Sequence, residues 1–446
     1  MTPGSITASP DWKIAAAPTM LTPVGSGERI ASIDVLRGVA LLGILTINIW
    51  GFALPSVVFL DPRAAGGWDA PNRTVWTVCH LLFEQKMMSL FSMLFGAGLI
   101  VMMSRSDARG SSLTGIYYRR IFWLLVFGLL HAYLLWEGDI LVSYALCGFV
   151  LFLFRRLRPR TQIALGVLVF LTQLPLIAGL GLLEERLRAV TGPDAKEGPA
   201  WAQELRRSLE ENLFSSDAAE EIEKHREGYS SQFVWRAVNN VGTETGDFLF
   251  WAGPRAGGLM LVGMGLMQLG VFAAARSYRF YARLAAAGYA LGFPLVSYGI
   301  YDNTSHHFDA IHQFLVSGHF NYVGSLFVAL GHVGVVMLIC KAGLATWLTS
   351  RLAAVGRMAL SNYLLQTVLC TTLFEGWGFS LYGRLERVQL LGVVLGVWLV
   401  QLIVSPLWLR WFRFGPMEWL WRSLTYGKIY SLRAPSAATP LEECRR

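Results

Sequence analysis

Charge is scarce in this chain. Charged residues make up 15% of 446, where soluble domains carry about 25%. That scarcity excludes an ordinary soluble globular domain. Cysteine is scarce as well: Cys79, Cys147, Cys340, Cys370 and Cys444 are scattered, with no CxxC pair. Such spacing offers neither a metal knuckle nor a disulfide framework. No GxSxG, Walker A, HExxH or GxGxxG occurs, so the soluble-enzyme motifs give no lead. Short alternating strands are missing too, which excludes a membrane β-barrel. Residues 1–28 are rich in Pro, Ala, Thr and Ser. They lack the apolar core of a cleavable signal and read as a disordered tail.

What the chain does have is apolar sequence: 54% of its residues, gathered into runs of about 20. The expectation is an all-α, polytopic membrane protein. Ten spans are predicted, at about 33–54, 84–104, 119–136, 139–154, 161–182, 248–272, 280–300, 320–341, 357–375 and 389–410. Arginine and lysine fall on every second connection: Arg105, Arg109, Arg119 and Arg120; the run 155–160; Arg276, Arg279 and Arg283; Lys341, Arg351 and Arg357. The tail adds Arg410, Arg413, Arg422 and Lys428. The positive-inside rule then puts both termini in the cytoplasm. The net charge of +8 sits largely at span ends, so it marks topology and not nucleic-acid binding. Residues 183–247 carry 8 Lys/Arg against 14 Asp/Glu and form an acidic periplasmic insert, its helices amphipathic or solvated. The expected organisation is a tail 1–28, five spans in 29–182, the insert 183–247, five spans with a basic aromatic tail in 248–428, and a last tail 429–446.

Chemistry centres on Arg119 to Tyr144, RRIFWLLVFGLLHAYLLWEGDILVSY. His131 lies in the outer half of the third span, and an ionisable side chain there needs a partner or a task. Its bland role is a hydrogen bond to a neighbouring helix. Its sharper role is a proton-handling base oriented by a carboxylate. Asp139 is eight residues on, about 12 Å along an unbroken helix, so contact requires Gly138 to turn the chain back. Glu84, on the adjacent span, is an equal candidate for that carboxylate. Lys86 either snorkels to the headgroups or holds an anionic group or Asp139. The four groups Glu84, Lys86, His131 and Asp139 are expected at one depth near the outer surface.

Other polar positions are weighed the same way. Asp34 and Arg37 are helix neighbours and read as a structural ion pair. Asn362 and Gln366, four apart, read as helix–helix hydrogen bonds, with Tyr363 between them. The tail combines Arg410, Arg413, Arg422 and Lys428 with Trp411, Trp419, Trp421 and Tyr426. That pattern fits a membrane interface, or a cradle in which arginines grip phosphate and rings stack on a base. The outer loop 301–319 holds His306, His307, His312 and His319. Their spacing matches no metal motif, so surface histidines or a lid are expected, and no metal.

Five segments carry a resemblance: SIDVLRGVALLGIL (32–45), KMMSLFSMLFGAG (86–98), 117–148, GRMALSNYLLQ (356–366) and FGPMEWLWRSLTYGK (414–428). On these the chain resembles the YeiB family of bacterial membrane proteins, from Arg29 to Lys428. The N-terminal half is also similar to the membrane acetyltransferase that modifies heparan-sulfate glucosamine in lysosomes, including SxDxxRG at Ser32–Gly38. That second likeness implies transfer of an acyl group, acetyl above all, from cytoplasmic acyl-CoA to an acceptor on the far side of the membrane. It implies a far-side histidine, for which His80 occupies the more comparable position, and a homodimer. Under it, His131 or His80 is the base, Asp139 or Glu84 orients it, and Lys86 assists. Arg413, Arg422, Trp419, Lys428 and Arg357 then hold acyl-CoA. The expected function is an inner-membrane acyltransferase acting on an envelope acceptor. A small-solute transporter or channel using the same intramembrane charges is the alternative, and a scaffold built on the insert is a third.

Overall fold

The computed structural model describes residues 30–108, 112–191, 198–209 and 218–433. The expected tail 1–28, Arg109 and most of the expected tail 429–446 lie outside the described residues. The described chain is helical, with one isolated β-bridge between Phe412 and Arg433. In order, α1 is Ala31–Ala53, α2 Ala70–Leu82, α3 Lys86–Ala108, α4 Thr114–Leu134, α5 Leu141–Leu151 and α6 Pro159–Leu171. Then come α7 Gln173–Thr191, α8 Ala200–Leu209, α9 Ala218–Arg226, α10 Tyr229–Asp247, α11 Gly253–Gln268 and α12 Tyr278–Ser305. The last six are α13 Ala310–His312, α14 Gly318–Ala342, α15 Thr346–Arg357, α16 Ala359–Phe374, α17 Arg387–Trp411 and α18 Pro416–Tyr426.

Helix starts follow local chemistry. Pro159 and Pro416 open α6 and α18, where their missing N–H has no partner to lose. Glu386 and Gln389 form a capping box at the start of α17. Ser277 accepts the amide of Phe280 and starts α12.

Among the described residues, six helical segments are long and apolar enough to cross a membrane: Ala31–Ala53, Ala70–Ala108, Pro159–Thr191, Tyr278–Ser305, Ala310–Ala342 and Arg387–Trp411. The other expected spans also fall on helices. Of these, α5 has 11 residues and α11 and α16 have 16 each. The protein is therefore a helical membrane protein.

The core divides along α1. Leu36, Leu41 and Leu42 join a cluster with Met93, Tyr144 and Met260. Leu45, Trp50 and Phe52 join a second with Trp76, Trp136 and Phe374. Close helix crossings rest on glycine. A Cβ on Gly38 would overlap the Leu352 carbonyl, and one on Gly356 the Asp34 carbonyl. Gly96 and Gly263 meet the backbones of Met260 and Met93 in the same way. With no hydrophobic force between helices in lipid, such small-residue contacts let backbones pack closely. They give the SIDVLRG and GRMALSN segments a structural reason for their glycines.

Of the two characters expected for the insert helices, amphipathic or solvated, the described ones that reach the bundle fit the first. In α9, Glu221 accepts the amide of Ser56 (2.9 Å) and the Tyr382 hydroxyl (2.9 Å). From α10, the Asn240 side chain donates to Ala132 O (2.9 Å), and Tyr229 to Leu134 O (2.9 Å). The insert thus lies across the last turn of α4, the turn that carries His131.

Candidate functional site

His131 is built by a helix that ends and a chain that returns. α4 stops at Leu134, and residues 135–140 reverse direction before α5 begins. Gly138 makes that reversal possible, because a Cβ there would overlap the Trp136 ring. Asp139 comes back onto His131, with Oδ1 2.8 Å from Nδ1. Its second oxygen accepts the Val142 amide (2.7 Å) and so caps the start of α5. On the other side of the ring, Nε2 lies 2.9 Å from the Thr367 hydroxyl. An ionised Asp139 can only accept, which assigns the proton of neutral His131 to Nδ1 and leaves Nε2 to accept from Thr367. His131 is 1% exposed. Tyr363 faces it at a ring separation of 5.1 Å, and Trp136 at 6.4 Å.

A cavity of about 290 Å³ approaches this site from the opposite end of the bundle. At its mouth stand five arginines from five helices: Arg37, Arg105, Arg120, Arg357 and Arg422. Two acids share the mouth, and both are engaged. Asp34 is bonded to Arg37 at 3.0 Å, the ion pair expected from the sequence. Glu418 accepts the amides of Leu360 (2.7 Å) and Ser361 (3.1 Å), sealing the N-terminus of α16. The Arg120 guanidinium lies 3.6 Å from the Trp421 ring centroid, and Trp421 donates back to Arg120 O (2.9 Å). Further in, the walls are apolar, with Leu41, Phe91, Phe95 and Leu124. The inner end reaches Ile140, Leu141, Tyr144 and Tyr363. Tyr363 therefore touches both the cavity and His131.

Glu84 and Lys86 belong elsewhere, which corrects their expected convergence on His131. Glu84 pairs with His80, four residues back, and accepts from Asn321 (3.4 Å). Lys86 is fully buried, donating to His80 O (2.6 Å) and to Asn321 Oδ1 (2.5 Å). Neither reaches His131 or Asp139. The reason is a break in the helix: Gln85 has φ +63° between α2 and α3, so its two neighbours leave in different directions. Arg255 completes this second cluster through Gln85, Ser89 and Ser325. His80 stacks on Trp76 at 4.9 Å and makes no contact with His131.

Of the five residues expected to hold a nucleotide cofactor, Arg357 and Arg422 line the cavity and three do not. Trp419 donates to Tyr430 O (2.6 Å). The backbone amides of Arg413 and Lys428 bond to Leu432 O and Ser423 O. Sequence reasoning gave Arg105 and Arg120 only a topological role and missed Glu418 and Thr367. Asn362 and Gln366 do bond helix to helix as expected, to Ser405 (3.0 Å) and Gln401 (3.0 Å).

The insert closes the end beyond His131 with a buried ionisable group. His225 of α9 stacks on Tyr382 at 4.1 Å. Its Nδ1 lies 3.1 Å from Glu375, and its Nε2 3.9 Å from Glu137. Burial opposes protonation of His225, but the Glu375 hydrogen bond and the charges of Glu137, Glu375 and Glu221 prevail and raise its pKa. Burial raises the pKa of Glu137, against the pull of His225. Both shifts have one sign. A raised His225 stabilises docking below its unfolded value of about 6.5 and loses that contribution as pH climbs through the docked value. A raised Glu137 likewise makes the docked state less favourable as pH rises. Amide hydrogen exchange in Ala218–Arg226, corrected for intrinsic rate, is expected to quicken from mildly acidic to alkaline pH. His225→Gln should remove the part of that dependence that falls near and above neutral pH, leaving the Glu137 part, and speed exchange roughly ten- to a hundredfold, as for a lost charged hydrogen bond. A flat profile in the unmodified protein would contradict the assignment.

Fold and site together define a helical membrane protein with an arginine-mouthed cavity leading toward a buried His–Asp pair. The chain belongs to the YeiB family. It is 32% identical to the "Uncharacterized protein YeiB" of Escherichia coli (strain K12) over 89% of this chain and 96% of that one. It is also 32% identical to the "Uncharacterized protein YxaH" of Bacillus subtilis (strain 168), over 91% and 96%. Residues 266–428 match the family described as "Protein of unknown function (DUF418)". No solved structure matches the chain.

Proposed function

We propose that this protein is an inner-membrane acyltransferase that takes an acyl group, acetyl above all, from cytoplasmic acyl-CoA to an acceptor presented at the insert side. The observation that carries the reading is the cavity running from five arginines to the tyrosine that faces His131. Arginines suit the phosphates of CoA, and the apolar wall suits the pantetheine arm. In this reading the chain crosses the bilayer ten times, with α4, α5, α11 and α16 joining the six longer segments. The arginine mouth and both termini face the cytoplasm, following the positive-inside rule. The insert and Glu137 are then periplasmic, and a homodimer is the assembly.

The chemistry uses His131 as general base. Thr367 releases Nε2, which takes the proton of an acceptor hydroxyl or amine. The acceptor oxygen or nitrogen attacks the thioester carbonyl, the C–S bond breaks, and CoA leaves as thiolate. The proton on Nε2 returns to that sulfur. Asp139 holds the ring in the required tautomer and balances the imidazolium while it exists, as in other His–Asp pairs.

Purified protein in proteoliposomes tests the reading with radiolabelled acetyl-CoA outside and mixed amino sugars and glycosides inside. Saturable binding and label on an enclosed acceptor are expected. Absence of acetyl-CoA binding at millimolar concentration, with solute flux in its place, would favour the transporter built on the same buried charges.

A further inference from the structure

The loop that follows α12 carries a second constellation, independent of the cavity. α12 ends at Ser305, and His307 and Phe308 take left-handed backbone, with φ +53° and +56°. The chain therefore doubles back, and α13 returns His312 to the last turn of α12. Asp309 accepts the His312 amide (2.7 Å) and fixes that return. The loop is held from below as well. Phe308 is buried edge-on against Trp68 (5.4 Å) and Trp76 (5.8 Å). Arg63 donates to His307 O (2.7 Å).

This fold-back gathers three donors. His312 Nε2 is 2.7 Å from Asp302 Oδ2, and His306 Nδ1 is 3.6 Å from Asp302 Oδ1. The two imidazoles stack with centroids 3.7 Å apart and planes 20° from parallel. One ligand atom from each residue lies within 4.8 Å of the others. Zinc bonds of about 2.0–2.1 Å in tetrahedral geometry place ligand atoms about 3.3 Å apart. The observed spacings bracket that value; to bring its lone pair to the ion, the half-exposed His306 ring turns out of the stack and gives up its hydrogen bond to Asp302 O (2.8 Å).

We propose that Asp302, His306 and His312 bind a divalent transition-metal ion, zinc first. Two imidazoles and one carboxylate suit zinc over magnesium or calcium, which prefer oxygen throughout. Three protein ligands leave the fourth position to water. His306 is half exposed and provides the access. The bound ion ties the end of α12 to α13 and stiffens the loop whose Phe308 covers Trp76. Trp76 in turn stacks on His80, so the metal braces the roof of the His80–Glu84 cluster.

The test uses full-length protein in detergent, with any histidine tag removed and metal stripped by chelator. Calorimetric titration should find one zinc ion per chain, with a rise in melting temperature that magnesium does not give. Cobalt substitution should give the visible absorption of a tetrahedral site. Asp302→Asn and His312→Gln should each weaken zinc at least about a hundredfold, the upper range for loss of a supporting metal contact. His306→Gln, at the half-exposed position, should do so without loss of fold. His307→Gln and His319→Gln should bind as the parent does. Zinc binding that survives Asp302→Asn combined with His306→Gln, or no saturable binding by the parent, would overturn the proposal.

Discussion

His131→Ala should lower acyl transfer by about 10²–10⁴-fold, the usual contribution of a positioned general base, and leave acyl-CoA affinity within about twofold. The split follows from the layout. The groups suited to bind phosphate stand at the arginine mouth, whereas His131 lies beyond the inner end, behind Tyr363. Removing the imidazole leaves the buried Asp139 carboxylate short of a partner, so the alanine variant alone could lose activity by misfolding. His131→Gln separates the two outcomes. Its amide can still donate to Asp139, but it cannot act as a base at neutral pH. Asp139→Asn should give a smaller loss, because the ring stays in place with its tautomer no longer fixed. Thr367→Val should shift the pH profile of turnover more than its maximum, since the valine removes the hydroxyl on Nε2 and leaves the base. Full turnover by His131→Gln would remove His131 from the chemistry and return His80 to consideration.

Much of this site could be read before the fold was known, and the parts that could not have physical causes. Apolar runs and sparse charge dictate a helical membrane protein, because only internally satisfied backbone can cross lipid. The pairing of His131 with Asp139 was conditional on one residue, Gly138, and the chain turns there. Glu84 and Lys86 were misplaced because topology gives depth and not direction around a helix, and Gln85 breaks the helix between them. The tail held a clue that went unused. Glu418, Trp421, Arg422 and Tyr426 follow helical spacing along one face of α18 and line the cavity. Trp419 stands at the edge of that face and donates to Tyr430 O instead. Counting basic and aromatic residues selected the tail, and the 3.6-residue period would have added Glu418 and Tyr426. The meeting of Arg37, Arg105, Arg120, Arg357 and Arg422 was not legible at all, since each comes from a different helix and only packing brings them together.

That meeting supports a second large effect. Arg357→Gln and Arg422→Gln should each weaken acetyl-CoA binding about 10- to 100-fold, as expected for loss of one charge-assisted hydrogen bond of about 1.5–3 kcal/mol. Arg357 is the sharper probe. Its Nε is buried with no hydrogen-bond partner among the described residues, so its removal breaks little that is already made. The double variant should lose the product of the two factors only if each arginine grips its own phosphate. A smaller combined loss would mean that they share one. Binding should also weaken as salt rises, and less steeply in the variants. Once bound, the ligand should react at a near-normal rate, because neither arginine approaches the thioester end of the cavity. Arg413→Gln and Lys428→Gln provide the contrast. Both carry the same charge on the same tail but stand outside the lining, so affinity should stay within about twofold. Equal losses from all four would reduce the mouth to a diffuse basic surface, of the kind that ordinarily borders a membrane. Dependence on Arg357 and Arg422 alone would identify it as a phosphate site with a defined shape.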